Sequence, residues 1–143
     1  MAHLDKSAAT LRIAGAALDP AEITRLLGCE PTDSYRKGSK HQDIVRRTGL
    51  WCLDAPDRQP EDLDAQIGEL LSQLTPDLHV WASLARRFEL DLFCGFFMKK
   101  SHEGLEVSAL TLKALGERGI KLAMCLYAPP LEDRDVPWQP RIV

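Results

Sequence analysis

The chain has 143 residues, of which 45% are apolar and 27% charged, with a formal net charge of −3. That length suits one domain with a sizeable core, and the composition excludes a disordered chain. The acidic balance gives no reason to expect a polyanion as partner for the surface as a whole, so nucleic acid is an unlikely partner on these grounds.

In chain order, Ala8 to Gly15 places Leu11 and Ile13 in alternation with Thr10 and Arg12, the period of a half-buried strand. Leu18 to Gly28 carries a full set of helix signals. Asp19 is the predicted N-cap, Pro20 the first helical residue, Glu22 the partner in a capping box and Gly28 the left-handed stop. Ile23, Leu26 and Leu27 form its apolar stripe. An irregular basic loop follows, and Leu50 to Leu53 reads as a strand closed by Asp54-Ala-Pro. Glu61 to Leu74 repeats leucine and isoleucine at helical spacing. Asp77 suits the cap of another helix, through Val80, Trp81 and Leu84. Phe88 to Phe97 is a strand with Phe88, Leu90, Leu92, Cys94 and Phe96 on one side and Glu89 and Asp91 on the other. A helix near Val107 to Arg118 ends at Gly119 and leads into a strand from Ile120 to Tyr127. There Ile120, Leu122, Met124 and Leu126 share a side. From Pro129 the chain holds four prolines and reads as an extended tail beyond a core of residues 8–128.

The pattern predicts a single α+β domain over residues 1–143. Its first half (strand, helix ending Leu-Leu-Gly, strand) echoes its second (strand, helix ending Ala-Leu-Gly, strand). Two pseudo-repeated β-α-β halves would build a ferredoxin-like two-layer sandwich. Such a fold has a mainly antiparallel sheet of four or more strands with helices packed on one face.

The stretches Ala9-Thr-Leu-Arg-Ile-Ala-Gly, Leu18-Asp-Pro-Ala-Glu-Ile-Thr-Arg-Leu-Leu-Gly-Cys-Glu-Pro31 and Thr48-Gly-Leu-Trp51 resemble the uncharacterised bacterial family known as domain of unknown function 4279. The resemblance covers about Ala8 to Tyr127. It implies a shape and a bacterial cytosolic setting, and it carries no reaction and no active site. A cytoplasmic location also follows from the absence of a membrane-length apolar run and of a signal-peptide core in Met-Ala-His-Leu-Asp-Lys-Ser.

Two surfaces attract functional readings. Between Pro31 and Leu50 lie five basic residues against two acids, followed by nine acids against three basic residues from Trp51 to Asp91. Arg36, Lys37, Lys40, Arg46 and Arg47, with His41, have the donors for phosphate groups, and Tyr35 and Trp51 flank them as stacking rings. A solvated or partner-contacting loop is the simpler reading. The second surface is the polar side of the sheet, where strand parity puts Thr10, Arg12, Glu89, Asp91, Lys121 and Tyr127, with Phe93 and Cys125. It reads either as a groove for a partner or ligand or as a charge ladder facing water. Trp138 in the tail is a further candidate contact. Cys29, Cys52, Cys94 and Cys125 have no metal-finger spacing and read as free thiols, and the four histidines are isolated. No catalytic residue, metal or cofactor is expected. The function these features support is a non-enzymatic protein-binding or self-associating module of immunity or accessory type. The alternative is a small-ligand or anion-binding protein or enzyme that uses Arg12 and the basic loop as a clamp.

Overall fold

The computed structural model describes residues 4–129, and its sheet is built around the first strand. β1 (Lys6–Gly15) pairs on one side with β5 (Gly49–Asp54) and on the other with β6 (Glu89–Phe97), both antiparallel. β2 (Asp33–Tyr35) adds to the outer side of β5, antiparallel, and β7 (Lys121–Tyr127) to the outer side of β6, parallel. The sheet order is therefore β2-β5-β1-β6-β7, with a separate two-stranded ribbon of β3 (Lys40–His41) and β4 (Ile44–Val45). Four helices occur among the described residues: α1 (Pro20–Leu27), α2 (Leu63–Ser72), α3 (Leu78–Arg87) and α4 (Ala109–Glu117). They lie against β5, β1, β6 and β7 respectively.

The alternation in β1 is obeyed along its length: Ser7, Ala9, Leu11 and Ile13 are buried, while Ala8, Thr10, Arg12 and Ala14 are only half-buried. The same parity buries Trp51 and Leu53 on β5 and Leu90, Leu92, Cys94 and Phe96 on β6. With Ile23 and Leu27 of α1, Ile67 and Leu70 of α2, and Trp81 and Leu84 of α3, these residues form one apolar cluster under the helices. One polar pair belongs to that buried layer. Ser7 Oγ donates to Gln66 Oε1 at 2.6 Å, and Gln66 Nε2 donates to the carbonyls of Ser7 (2.9 Å) and Pro56 (3.0 Å). The amide thus ties α2 to β1 while satisfying every buried group it meets.

Local signals explain the helix ends. Asp19 Oδ1 accepts from the Ala21 amide at 3.1 Å, Pro20 opens α1, and Gly28 closes it at φ 76°. The capping box is not formed. Glu22 instead accepts from Arg87 Nη2 at 2.6 Å, because α3 packs close enough to offer a charge-assisted partner that outweighs the local bond. Asp62, Asp77 and Ser108 cap α2, α3 and α4 through their side-chain oxygens. Gly49 is required by space: a Cβ there would stand 2.9 Å from the Gly15 carbonyl oxygen and 3.0 Å from Leu18 Cβ.

Two expectations need correction. The basic stretch is not an irregular loop throughout, since it contributes β2 to the sheet and then the β3–β4 hairpin. Nor does the sheet have the split arrangement of a ferredoxin-like sandwich. β5 lies directly beside β1 and β7 directly beside β6, and the second closure is parallel while the first is antiparallel. The two halves share composition without sharing strand direction. What stands is a mixed α+β fold with a mostly antiparallel five-stranded sheet. Among the described residues, no helix is long and apolar enough to cross a membrane. The tail candidate Trp138 lies outside the described residues.

Candidate functional site: the open sheet face

The side of the sheet opposite the core cluster has no helix over it among the described residues. Register places a row of five side chains straight across it: Asp33 (β2), Cys52 (β5), Arg12 (β1), Asp91 (β6) and Lys121 (β7). Arg12 is the centre of that row. Its Nε donates to Asp91 Oδ1 at 2.8 Å and its Nη2 to Asp91 Oδ2 at 2.6 Å, a bidentate fork, and its guanidinium lies 4.4 Å over the Phe93 ring. The bonds to Asp91 hold the guanidinium more firmly charged, and they outweigh the opposing effect of its partial burial. Beside it, burial pushes the Cys52 thiol up to about 11, with the charges of Asp54 and Asp33 acting in the same direction. A thiol held neutral in this way is a poor nucleophile.

On one flank of this row, Tyr35, Leu50, Ala14 and Glu89 line up, and with Arg12 and Asp91 they bound a shallow depression of about 220 Å³. Arg46, from the hairpin, stacks 4.6 Å over Tyr35, and His41 lies against the same ring with its Nε2 3.0 Å from Asp33 Oδ2. On the other flank come Asp54, Thr10, Phe93 and Ala123, then Ala8, Gly95 and Cys125, and finally Lys6, Phe97 and Tyr127. Phe97 and Tyr127 are stacked with centroids 4.8 Å apart, and Lys6 Nζ stands 5.1 Å over Phe97. Both rings approach Gly95, each 3.6 Å from where a Cβ would stand. The Tyr127 phenol, hydrogen-bonded with Cys125, is pushed above its ordinary range. The face thus has an ionic end around Arg12 and Tyr35 and an aromatic end around Phe97 and Tyr127.

The chain belongs to the family described as Domain of unknown function (DUF4279). Its model matches residues 5–129, all but the first residue of the described span. No curated protein and no solved structure matches the chain. The DUF4279 match covers every strand and helix described above and leaves residues 130–143 outside it.

Within this DUF4279 domain the candidate residues separate. Arg12 and Tyr35 line the depression, and Arg46 packs on Tyr35. Arg36 is tied to Asp19 at 2.7 Å at the α1 cap, and Lys40 stands 4.0 Å from Asp43 at the hairpin tip. Lys37 and Arg47 are exposed and form no ion pair among the described residues. None of Arg36, Lys37, Lys40 and Arg47 lines the depression, so the basic loop does not converge on it. Trp51 is corrected outright. It is fully buried on the helix side, and its indole N–H donates to Thr24 Oγ1 at 3.1 Å, so it cannot stack on a ligand. The parity that buries Leu53 also buries Trp51, and the sequence already carried that alternation. The pairing of His41 with Asp33 and the Phe97–Tyr127 stack were not foreseen. Register across β6 and β7 makes the second pair, and the fold-back of the β3–β4 hairpin beside β2 makes the first.

Proposed function

We propose that this chain is a non-enzymatic protein-binding module whose open sheet face, rimmed by the β3–β4 hairpin, receives the partner. The observation that carries the reading is the pairing of an uncovered sheet face with fixed, exposed aromatic groups. Phe97 and Tyr127 are 38% and 45% exposed yet held in a stack, which is the pre-organised anchor that interfaces use. The ionic end supports the same reading. Its cation and carboxylate already neutralise one another, so a partner need not strip water from an isolated charge.

The anion-clamp reading has less support. Arg12 spends its fork on Asp91, the depression also presents Glu89, and its volume is below the roughly 300 Å³ at which small-molecule pockets begin. A larger, open depression of about 410 Å³ beside α1 has only Arg25 and Glu30 as charged lining. The test is comparative capture from the native cell. A protein retained by the wild type is expected to be lost by the double variant Phe97→Ala, Tyr127→Ala and kept by Arg86→Ala on α3. Equal retention by the open-face variant would remove the proposal, and a thermal-shift response to a small anion that Arg12→Ala abolishes would favour the clamp.

A further inference from the structure

The two edges of the sheet differ in kind. At one, β2 is three residues long and carries Asp33. At the other, β7 runs for seven residues, Lys-Leu-Ala-Met-Cys-Leu-Tyr, in unbroken register with β6. Exposed edges are ordinarily blunted by shortness, charge, proline or a bulge, and β7 has only Lys121 at its start.

The direction of its free backbone groups follows from one bond. The Met98 amide donates to the Tyr127 carbonyl at 3.0 Å in the parallel register Phe97–Tyr127. Alternation then turns the N–H and C=O groups of Ala123, Cys125 and Tyr127 toward β6, and those of Leu122, Met124 and Leu126 outward. No strand among the described residues lies on that side. Met124 and Leu126 are 54% and 60% exposed, and α4, which packs on β7, adds exposed Leu110 and Leu112.

We propose that β7 pairs antiparallel with β7 of a second copy, across a two-fold axis at Met124. In that register all seven residues overlap, and each outward backbone group meets one. Leu122 faces Leu126 of the second copy and Met124 faces itself, which makes a continuous apolar ladder on the helix side. On the other side Ala123 faces Cys125, and Lys121 faces the ring of Tyr127. No like charges meet, and the single cation of each strand lies opposite a phenol, so the edge is complementary to itself, as an isologous interface requires. The dimer would join two sheets with both open faces on the same side. The competing occupant, residues 130–143 of the same chain, holds three prolines and the run Glu132-Asp133-Arg134-Asp135. Prolines lack the donor an added strand needs, and that run brings charges where β7 offers leucine and methionine.

The register gives a direct test. The double variant Ala123→Cys, Cys125→Ser is mixed with wild type and treated with diamide as oxidant. A disulfide-linked dimer is expected between the thiol introduced at position 123 and Cys125 of the other copy, since facing residues of antiparallel strands lie within disulfide reach. Neither protein alone should cross-link, and linkage of wild type to itself through Cys125 would overturn the register. Sedimentation velocity of the full chain from about 1 μM to about 1 mM should show a dimer that Met124→Lys, with unchanged circular dichroism, returns to monomer. A monomer throughout, or a dimer untouched by Met124→Lys, would overturn the proposal. Dimerisation only after removal of residues 130–143 would do so too, by making the tail the occupant.

Discussion

On one side of β1, Ala9, Leu11 and Ile13 are exposed by 2% or less under the helices, while on the other Ala8, Thr10, Arg12 and Ala14 keep partial access to solvent. One strand therefore serves two chemistries, and alternation alone keeps them apart. The covered side is held by volume: Trp51, Trp81, Phe96 and seven leucines are exposed by 1% or less. The open side is held by pairing, ring on ring and carboxylate on guanidinium, and its groups stay within reach of a visitor. Stability should therefore reside in the first side and recognition in the second.

The sharpest way to break that contrast is truncation on each side. Trp51→Ala should cost about 3–5 kcal/mol in urea unfolding, through lost burial and the cavity left behind. Phe97→Ala should cost no more than about 1.5 kcal/mol, the range of an aromatic pair. Equal costs would make the open face a second core.

A change of similar size should come from alkali. Burial holds the Cys52 and Cys94 thiols up, to about 11 and about 12. The folded chain therefore keeps protons that the unfolded chain releases above pH 9. Stability should be complete below that pH and fall as pH rises toward 11, by about 2–3 kcal/mol for each of the two thiols. Denaturation midpoints measured from pH 8 to 11 read this directly, and a Cys52→Ser, Cys94→Ala variant should flatten the curve. At neutral pH the half-buried Cys29 and Cys125 should react with a thiol reagent ahead of the other two.

Gln66→Ala should cost about 1–3 kcal/mol, because it removes the acceptor of the buried Ser7 hydroxyl and one donor each from the Ser7 and Pro56 carbonyls. The smallest effect belongs to the open face. A double-mutant cycle on Arg12 and Asp91 should give a coupling of at most about 1 kcal/mol, reduced by salt, because the guanidinium side is 38% exposed. A larger, salt-independent coupling would place that pair in the core's economy.

Much of the covered side was legible. The caps of α1 and the parity of β1 and β6 were readable because each depends on neighbours in sequence. The β3–β4 hairpin was not. Its turn is made by Gln42 and Asp43, both at positive φ (51° and 61°), where the usual signal is Asn-Gly or Asp-Gly. Two-residue strands also have no period to detect. Strand order escaped as well, since Leu11 is equally suited to face Leu53 or Leu122. The candidate face was legible as a set of side chains, Thr10, Arg12, Glu89, Asp91, Lys121 and Tyr127, but not as a map. Which residue meets which is set by register, and the resulting cancellation of Arg12 by Asp91 alters the chemistry that Arg12 alone had implied.

The central position of β1 also sets an order in time. It leaves the ribosome ahead of both its neighbours, which begin only at Gly49 and Glu89. The β1–β5 pair must close over a connection holding α1, β2 and the hairpin, and β1's other edge then waits for α2 and α3 to be made. A nascent chain halted before Glu89 would present Leu11 and Ile13 beside an unpaired strand, the kind of surface on which chains aggregate or chaperones wait.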